Sequence, residues 1–242
     1  MRILLCLSLL LAVFTQTRAQ RSVYTVTSGE MIFGWADVEQ EVPIGSGSFE
    51  DVSSNLRFSV FFHVGQYVHL DIGNSVGLFS GLALRNIGFI TEDDALDLGV
   101  EKEKHRSYTL GIPLALKLGS FRDHFYIFGG GEYELLFHYK YKYWMDGDKH
   151  KTSEWFSDRT KRFLPSVFAG VQFPGGLNVK FRYYLDDFLN SDFHKGDNPL
   201  NDYSRYGKTQ MFHISVCWQF DTRDIEKIWG GEGSSRAYDT RI

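Results

Sequence analysis

The segment LRFSVFFHVGQYVHLDIG, Leu56 to Gly73, sorts its side chains by parity. Phe58, Val60, Phe62, Val64, Gln66, Val68, Leu70 and Ile72 share one face; Arg57, Ser59, Phe61, His63, Gly65, Tyr67, His69 and Asp71 share the other. A period of two held over this length is the signature of a β-strand. It excludes an amphipathic helix, which needs apolar positions three and four apart. Which face meets the protein interior, and what the other face meets, decides the class of molecule.

Eight such segments recur along the chain, over 29–38, 55–73, 76–91, 106–120, 124–144, 162–173, 177–189 and 209–220. The second and third are joined by Gly73-Asn74-Ser75, the fourth and fifth by Ser120-Phe121-Arg122-Asp123, and the sixth and seventh by Pro174-Gly175-Gly176. These are residues that tolerate positive φ or preset a bend, as tight hairpins require. The other connections, 39–54, 92–105, 145–161 and 190–208, are long and polar. Short turns at one end, long loops at the other and an even strand number predict an all-β, eight-stranded antiparallel up-and-down transmembrane β-barrel.

The competing architecture with the same order is a soluble lipocalin-like barrel with its faces inverted. The faces themselves discriminate. The seventh segment sets Leu177, Val179, Phe181, Tyr183 and Leu185 against Asn178, Lys180, Arg182, Tyr184 and Asp186; the last sets Phe212, Ile214, Val216, Trp218 and Phe220 against Met211, His213, Ser215, Cys217 and Gln219. An eight-stranded barrel has interior room for one layer of side chains or one small ligand. The aromatic and aliphatic faces of eight strands would overfill it, whereas they suit a lipid-facing wall. Phe58, Val60, Phe62, Phe181, Ile214, Val216 and Trp218 are therefore expected to face lipid. Arg57, Lys117, Glu132, Glu134, Lys180, Arg182 and Asp186 are expected inside, as a charge network that plugs the barrel. Mixed signs are needed there, because a buried ion deprived of its partner costs about 3–5 kcal/mol. Phe121, Phe125, Phe173, Trp218 and Phe220 on the turn side, and Tyr139, Tyr141 and Trp144 on the loop side, are expected to form interfacial girdles. The first segment fits either face, the third alternates less cleanly, and Pro113 in the fourth calls for a bulge.

The first residues, MRILLCLSLLLAVFTQTRAQ, combine Arg2, an apolar run and Thr17-Arg18-Ala19, which reads as a secretory signal peptide over 1–19. Residues 20–28 are expected to lead into a barrel over 29–220, and the Gly/Ser-rich 221–242 to form a periplasmic tail. Beyond the signal only Cys217 remains, so stability must come from packing and sheet closure. A net charge of −4 with both signs dispersed argues against nucleic acid as a partner. Aromatic residues make up 16% of the chain and include 13 tyrosines, a composition suited to surfaces half wet and half apolar.

The stretches GLALRNIGFI, YTLGIPLALKLG, FGGGEYELLF and PSVFAGVQFPGGLNVKFRYYL, together with SGEMIFGWADVE near the start, resemble the small outer-membrane β-barrel proteins of Bacteroidota, the PorT-like group. The resemblance covers most of the chain after the signal. It implies an outer-membrane location and a barrel fold, and it carries over no catalytic residue.

Four motifs bear on chemistry. His213-Ile214-Ser215 is similar to the His-x-Ser of outer-membrane lipid A deacylases, but both residues phase inward, away from lipid, and the next glutamate, Glu226, lies beyond the last strand. Asp146-Gly147-Asp148-Lys149-His150 has too few oxygen ligands for calcium and reads as a solvated loop. His63 and His69 share a face but stand about 20 Å apart along a strand, too far to share a metal. Gly129-Gly130-Gly131 precedes no helix that could present N–H groups to a phosphate, and suits barrel curvature instead. The expectation is a non-enzymatic outer-membrane protein without metal or cofactor. Its partners would be outer-membrane lipid and a protein engaged through the loops or tail. A lipid A deacylase-like enzyme, a small channel and a soluble binding barrel are the alternatives.

Overall fold

A computed structural model describes residues 21–42, 45–92 and 99–221; the signal segment and the tail beyond Asp221 lie outside the described residues. The first strand, β1 (Arg21–Glu41), takes in most of the expected lead-in. The connection 39–54, expected to be a polar loop, carries β2 (Phe49–Val52) and runs into β3 (Ser54–Asn55), and the stretch read as one long second strand is split into β4 (Arg57–Ser59) and β5 (Val64–Ile72). There follow β6 (Val76–Thr91), β7 (Val100–Ser120), β8 (Phe125–Met145), β9 (Asp148–Trp155), β10 (Phe163–Gln172), β11 (Leu177–Tyr184) and β12 (Tyr206–Asp221). Hydrogen-bonded neighbours run β1, β5, β6, β7, β8, β10, β11, β12 and back to β1, every pair antiparallel. The sheet is thus a closed eight-stranded up-and-down barrel, and β9 is a hairpin arm on β8 outside the ring.

Closure pairs each ring strand on both sides and splits it by parity into a wall and a filling. On β1 the even positions turn inward, with Glu30, Ile32 and Val38 buried. Gly34 on the same face has a reason to be glycine, since a Cβ there would stand 2.9 Å from the ring of His213 on the paired strand. The outer wall carries Leu110, Ile112, Leu114, Leu116 and Leu118 on β7, with Val179 and Phe181 on β11 and Ile214 and Trp218 on β12, all exposed.

Two irregularities separate the observed faces from a strict alternation. Between β4 and β5 the register against β1 slips: Ser59 pairs with Ile32 and Val64 with Gly29, so four residues stand opposite two. The insertion is even, and so Arg57 and Tyr67 stay on one side and Phe58 and Val64 on the other. Inside the bulge Phe62 takes φ 67° and Phe61, expected inward, swings out to 78% exposure. In β8 the register against β7 slips by one at Phe137, where Tyr108 pairs with His138 but Thr109 with Leu136. An odd insertion exchanges the faces. Tyr139 and Tyr141, expected in the loop-side girdle, are consequently buried inside the barrel, at 1% and 2% exposure.

Pro113 needs no bulge. Its ladder to β8 is unbroken, and on the β6 side, where pairing lapses at Gly81 and Leu82, the Ser80 hydroxyl donates to the Pro113 carbonyl at 2.7 Å. The polar stretch from Asp146 to His150 is a hairpin, not a solvated loop. Asp146 and Gly147 both adopt positive φ, 51° and 79°, the mirror-image turn whose twist matches paired strands.

The glycine run of β8 meets a close strand approach. A Cβ on Gly130 would lie 2.0 Å from the Leu114 carbonyl, whereas on Gly131 the nearest atom within 4 Å is the Ser166 carbonyl at 3.7 Å. Gly130→Val is expected to destabilise the barrel by about 1–3 kcal/mol through overpacking, and Gly131→Val to leave it within error. Urea titration, read as the fraction of unheated chain migrating as folded barrel on a gel, measures both; equal shifts would contradict the register.

Candidate functional site

The barrel interior is the site the sequence singles out, and it is built in layers. Midway along the axis, β6 supplies Arg85, β11 supplies Lys180 and Arg182, β1 supplies Glu30, and β8 supplies Glu132 and Glu134, all buried. Arg85 Nε donates to Glu30 Oε2 at 2.8 Å, and its Nη1 reaches Glu134 Oε1 at 3.0 Å and also Glu132. Arg182 Nη2 donates to Glu132 Oε2 at 2.6 Å; its Nη1 donates to Glu134 Oε1 at 3.2 Å and to Ser166 Oγ at 2.7 Å. Lys180 Nζ stands 3.0 Å from Glu30 Oε1. Three cations therefore face three carboxylates. Ionised groups held this far from water persist only when charge and hydrogen bonds are both matched. The forked guanidinium geometry lets Arg85 bridge the carboxylates of opposite walls, Glu30 on β1 and Glu132 and Glu134 on β8, and lets Arg182 clasp both β8 carboxylates.

On the turn side of this belt lies a cluster of Tyr67, Phe79, Ala83, Ala115, Tyr126, Phe128 and Phe168. Beneath it Lys117 donates to Asp71 and to Tyr24 Oη at 3.0 Å, with its ammonium 4.5 Å from the centre of the Phe121 ring. On the loop side, Tyr139, Tyr141, Tyr184, Tyr203 and Tyr206 pack with Ile87, Phe89 and Leu164. The Tyr141 and Tyr206 hydroxyls bind a further ion pair. Arg205 Nη2 donates to Glu103 Oε1 at 2.7 Å, Tyr206 donates to Glu103 Oε2 at 3.0 Å, and His105 bonds Tyr139 at 2.7 Å. Between the charge belt and the turn-side cluster a cavity of about 20 Å³, lined by Tyr67, Arg85, Glu132, Lys180 and Arg182 among others, has room for about one water.

Glu132, Glu134, Lys180 and Arg182 meet in one network, as described above. Lys117 is also inside but belongs to the separate turn-side group. Arg57 is buried, yet it donates to the Asn86 carbonyl at 3.0 Å and to the Asn86 side chain, across the gap between β4 and β6, and not to a carboxylate. Asp186 is a correction. β11 ends at Tyr184, the chain turns outward, and Asp186 is exposed, accepting the Asp187 N–H at 2.9 Å. Phe121 is likewise no part of a girdle, because it folds under the barrel mouth onto Lys117. Sequence reasoning missed Glu30 and Arg85, whose strands had ambiguous faces. The excess of positive charge over the carboxylates among the expected interior residues was the available signal for Glu30.

Phe58, Val60, Phe62, Phe181, Ile214 and Trp218 are exposed on the outer wall, with Val216 half-buried among them. His213 and Ser215 are buried inside, and neither imidazole nitrogen nor the Ser215 hydroxyl has a hydrogen-bond partner among the described residues. They do not form a nucleophile and base. A second serine–histidine contact exists, Ser59 Oγ to His63 Nε2 at 2.7 Å, but the Asn86 N–H donates to His63 Nδ1 at 3.2 Å. With Nδ1 accepting, Nε2 carries the proton and donates to Ser59, the reverse of what activating the serine requires. His69 stands with Lys117 and not with His63. Among the described residues no three His, Cys, Asp or Glu side chains group closely enough to hold a metal ion.

Arg182→Met leaves Glu132 and Glu134 short of one partner and is expected to cost about 3–5 kcal/mol, whereas Asp186→Asn is expected to stay within about 0.5 kcal/mol. Urea unfolding of the refolded chain measures the pair; a neutral Arg182→Met would contradict the network.

No family model matches the chain, and no curated protein is similar to it. Solved structures similar to it include Ail, the attachment invasion locus protein of Yersinia pestis, at 13% identity over 81% of this chain and 99% of that one, with a TM-score of 0.32. Neisserial surface protein A is 7% identical over 82% of this chain and 97% of its own, TM-score 0.38. The outer membrane protein OprG of Pseudomonas aeruginosa is 11% identical over 82% and 95%, TM-score 0.37.

Proposed function

We propose that the chain is an integral outer-membrane barrel, exported on residues 1–19, whose packed interior conducts nothing. Its role is then structural or interactive, through the loop-side arm, the tail or the lipid-facing wall. The observation that carries this reading is the inversion of the faces around a closed ring: exposed Leu, Ile, Val and Phe on the outside, buried Glu, Arg and Lys within. The apolar wall on β7, Leu110 through Leu118, is about nine residues tall, the height a tilted strand needs to cross a bilayer. Exposed Phe125, Phe173, Trp218 and Phe220 border it on the turn side, and Phe163 and Trp155 on the loop side, as interfacial aromatics do. In water such a wall would be one continuous apolar patch, far beyond the few hundred Å² that soluble proteins tolerate.

The rival readings each fail a physical requirement. A soluble lipocalin-like barrel needs its apolar face inside. A channel needs a continuous polar path, and aromatic clusters stand on both sides of the charge belt. A lipid A deacylase-like enzyme needs a base bonded to its serine and open to lipid, which His213 and Ser215 are not. Membership of the PorT-like group of Bacteroidota rests on the sequence resemblance.

The expected behaviour is retention in membranes through an alkaline wash, release by detergent alone, and faster gel migration before heating than after. In planar bilayers no conductance steps should appear. Recovery as a soluble protein would overturn the membrane reading, and stable ohmic steps would overturn the closed interior.

A further inference from the structure

Beyond the apolar wall, β7 and β8 continue upward with β9 as a three-stranded arm, and its outward face is basic. Parity and register fix the rows: Arg106 beside Lys140 beside Ser153, Lys104 beside Lys142 beside Lys151, and Lys102 beside Trp144 beside Lys149. Seven cations thus share one face of a chain whose net charge is −4. Like charges directly opposed across strands destabilise a sheet. Here three lysines stand in one row. Among the described residues the one carboxylate paired with this face is Glu92, on Lys102, and the buried Arg106 Nε has no partner. Burial, then the charges of Arg57, Arg106, Lys142 and Lys102, lower the Lys104 ammonium to about 8, so the face is short of negative charge.

Position says what supplies it. Below the cations on the same face come aromatic rings: Tyr108 stacks on His138, and His138 on Trp155 at 4.3 Å between centroids. Lys140 lies over Tyr108 at 5.1 Å, and Lys149 over Trp144 at 5.4 Å. Below the rings begins the leucine wall at Leu110. From Leu110 to Arg106 is about 13 Å along the strand and roughly 9 Å in height at a tilt near 45°, which is headgroup depth. Apolar wall, aromatic ring, then cation, in that order on the outward side, follows the layering of acyl chain, interface and phosphate.

We propose that the outward face of this arm, centred on Lys104, Lys142, Lys151, Arg106 and Lys140, binds the phosphate groups of anionic lipids in the outer leaflet. The assignment rests on the membrane reading above. It commits to headgroup phosphate and not to a soluble polyanion, because the face points sideways over the bilayer.

The test uses the full folded chain in vesicles of phosphatidylcholine, with or without phosphatidylglycerol. Heat-modifiable migration is scored first, because a chain that fails to enter either vesicle overturns the membrane reading and this inference with it. For inserted chain, native mass spectrometry after transfer to neutral detergent counts retained lipid. The wild type should retain phosphatidylglycerol over phosphatidylcholine, with loss in high salt. The K104Q/K142Q/K151Q variant should weaken retention roughly 100-fold, at about tenfold or less for each charge removed near the surface. K208Q, which removes a lysine paired with Asp37 elsewhere on the rim, should leave it unchanged. Inserted wild type without anionic preference, or undiminished retention in the triple variant, would overturn the inference alone. Tight binding of dextran sulfate with no lipid preference would replace it with a soluble-polyanion site.

Discussion

Everything in this barrel depends on the neutral ion network at its waist. A ring of eight strands leaves an interior too narrow for bulk water and too wide to be left empty. Filling its waist with charge works because each ion there stands within about 3 Å of a counter-ion of opposite sign. Arg85 and Arg182 achieve this from facing strands by sharing Glu132 and Glu134, and Glu30 completes the balance by pairing with Arg85 and lying against Lys180. These contacts tie together β1, β6, β8 and β11, which are not neighbours in the sheet order. The network cross-links the ring through its centre, so the wall outside needs no core and is free to carry only what suits its surroundings.

The aromatic clusters on either side make that network durable. Phe79, Phe128 and Phe168 on the turn side, and Tyr139, Tyr184 and Tyr203 on the loop side, shut bulk solvent out of the belt, which strengthens each of its bonds. The loop-side cluster is itself polar at its edges, where Glu103, Arg205 and His105 collect tyrosine hydroxyls. The interior thus changes by stages, from buried ion pairs to tyrosines to the solvated arm.

Much of this was legible in the sequence, and the losses have physical causes. Parity sorted β11, β12 and the lower half of β8, because their faces differ in chemistry as well as position. It failed at Phe137, where one extra residue exchanges the faces and carries Tyr139 and Tyr141 inside. Such a bulge leaves no compositional mark, since tyrosine suits either environment. At Phe61 and Phe62 the insertion was even, so every residue except those in the bulge kept its side. The Asp146-Gly147 pair did announce its hairpin, and the surrounding polarity concealed it: the lysines of β9 alternate with His150, Thr152 and Glu154, with no apolar face. Asp186 was misplaced because parity was extended past Tyr184, beyond the last strand pairing. Glu30 was signalled only by the surplus of one positive charge among the expected interior residues, and placing Arg85 required the register between strands, which a single sequence does not contain.

The central claim is the inversion of the faces, and β7 tests it most directly. Spin labels placed one at a time at positions 110 to 118, in a Cys217→Ser background refolded into lipid vesicles, report collision with oxygen dissolved in the bilayer and with a water-soluble relaxant. The account predicts a period of two, with positions 110, 112, 114, 116 and 118 reached by oxygen and 111, 113, 115 and 117 reached by neither. Even positions reached by the water-soluble relaxant, or a pattern in which the odd positions meet lipid, would contradict it.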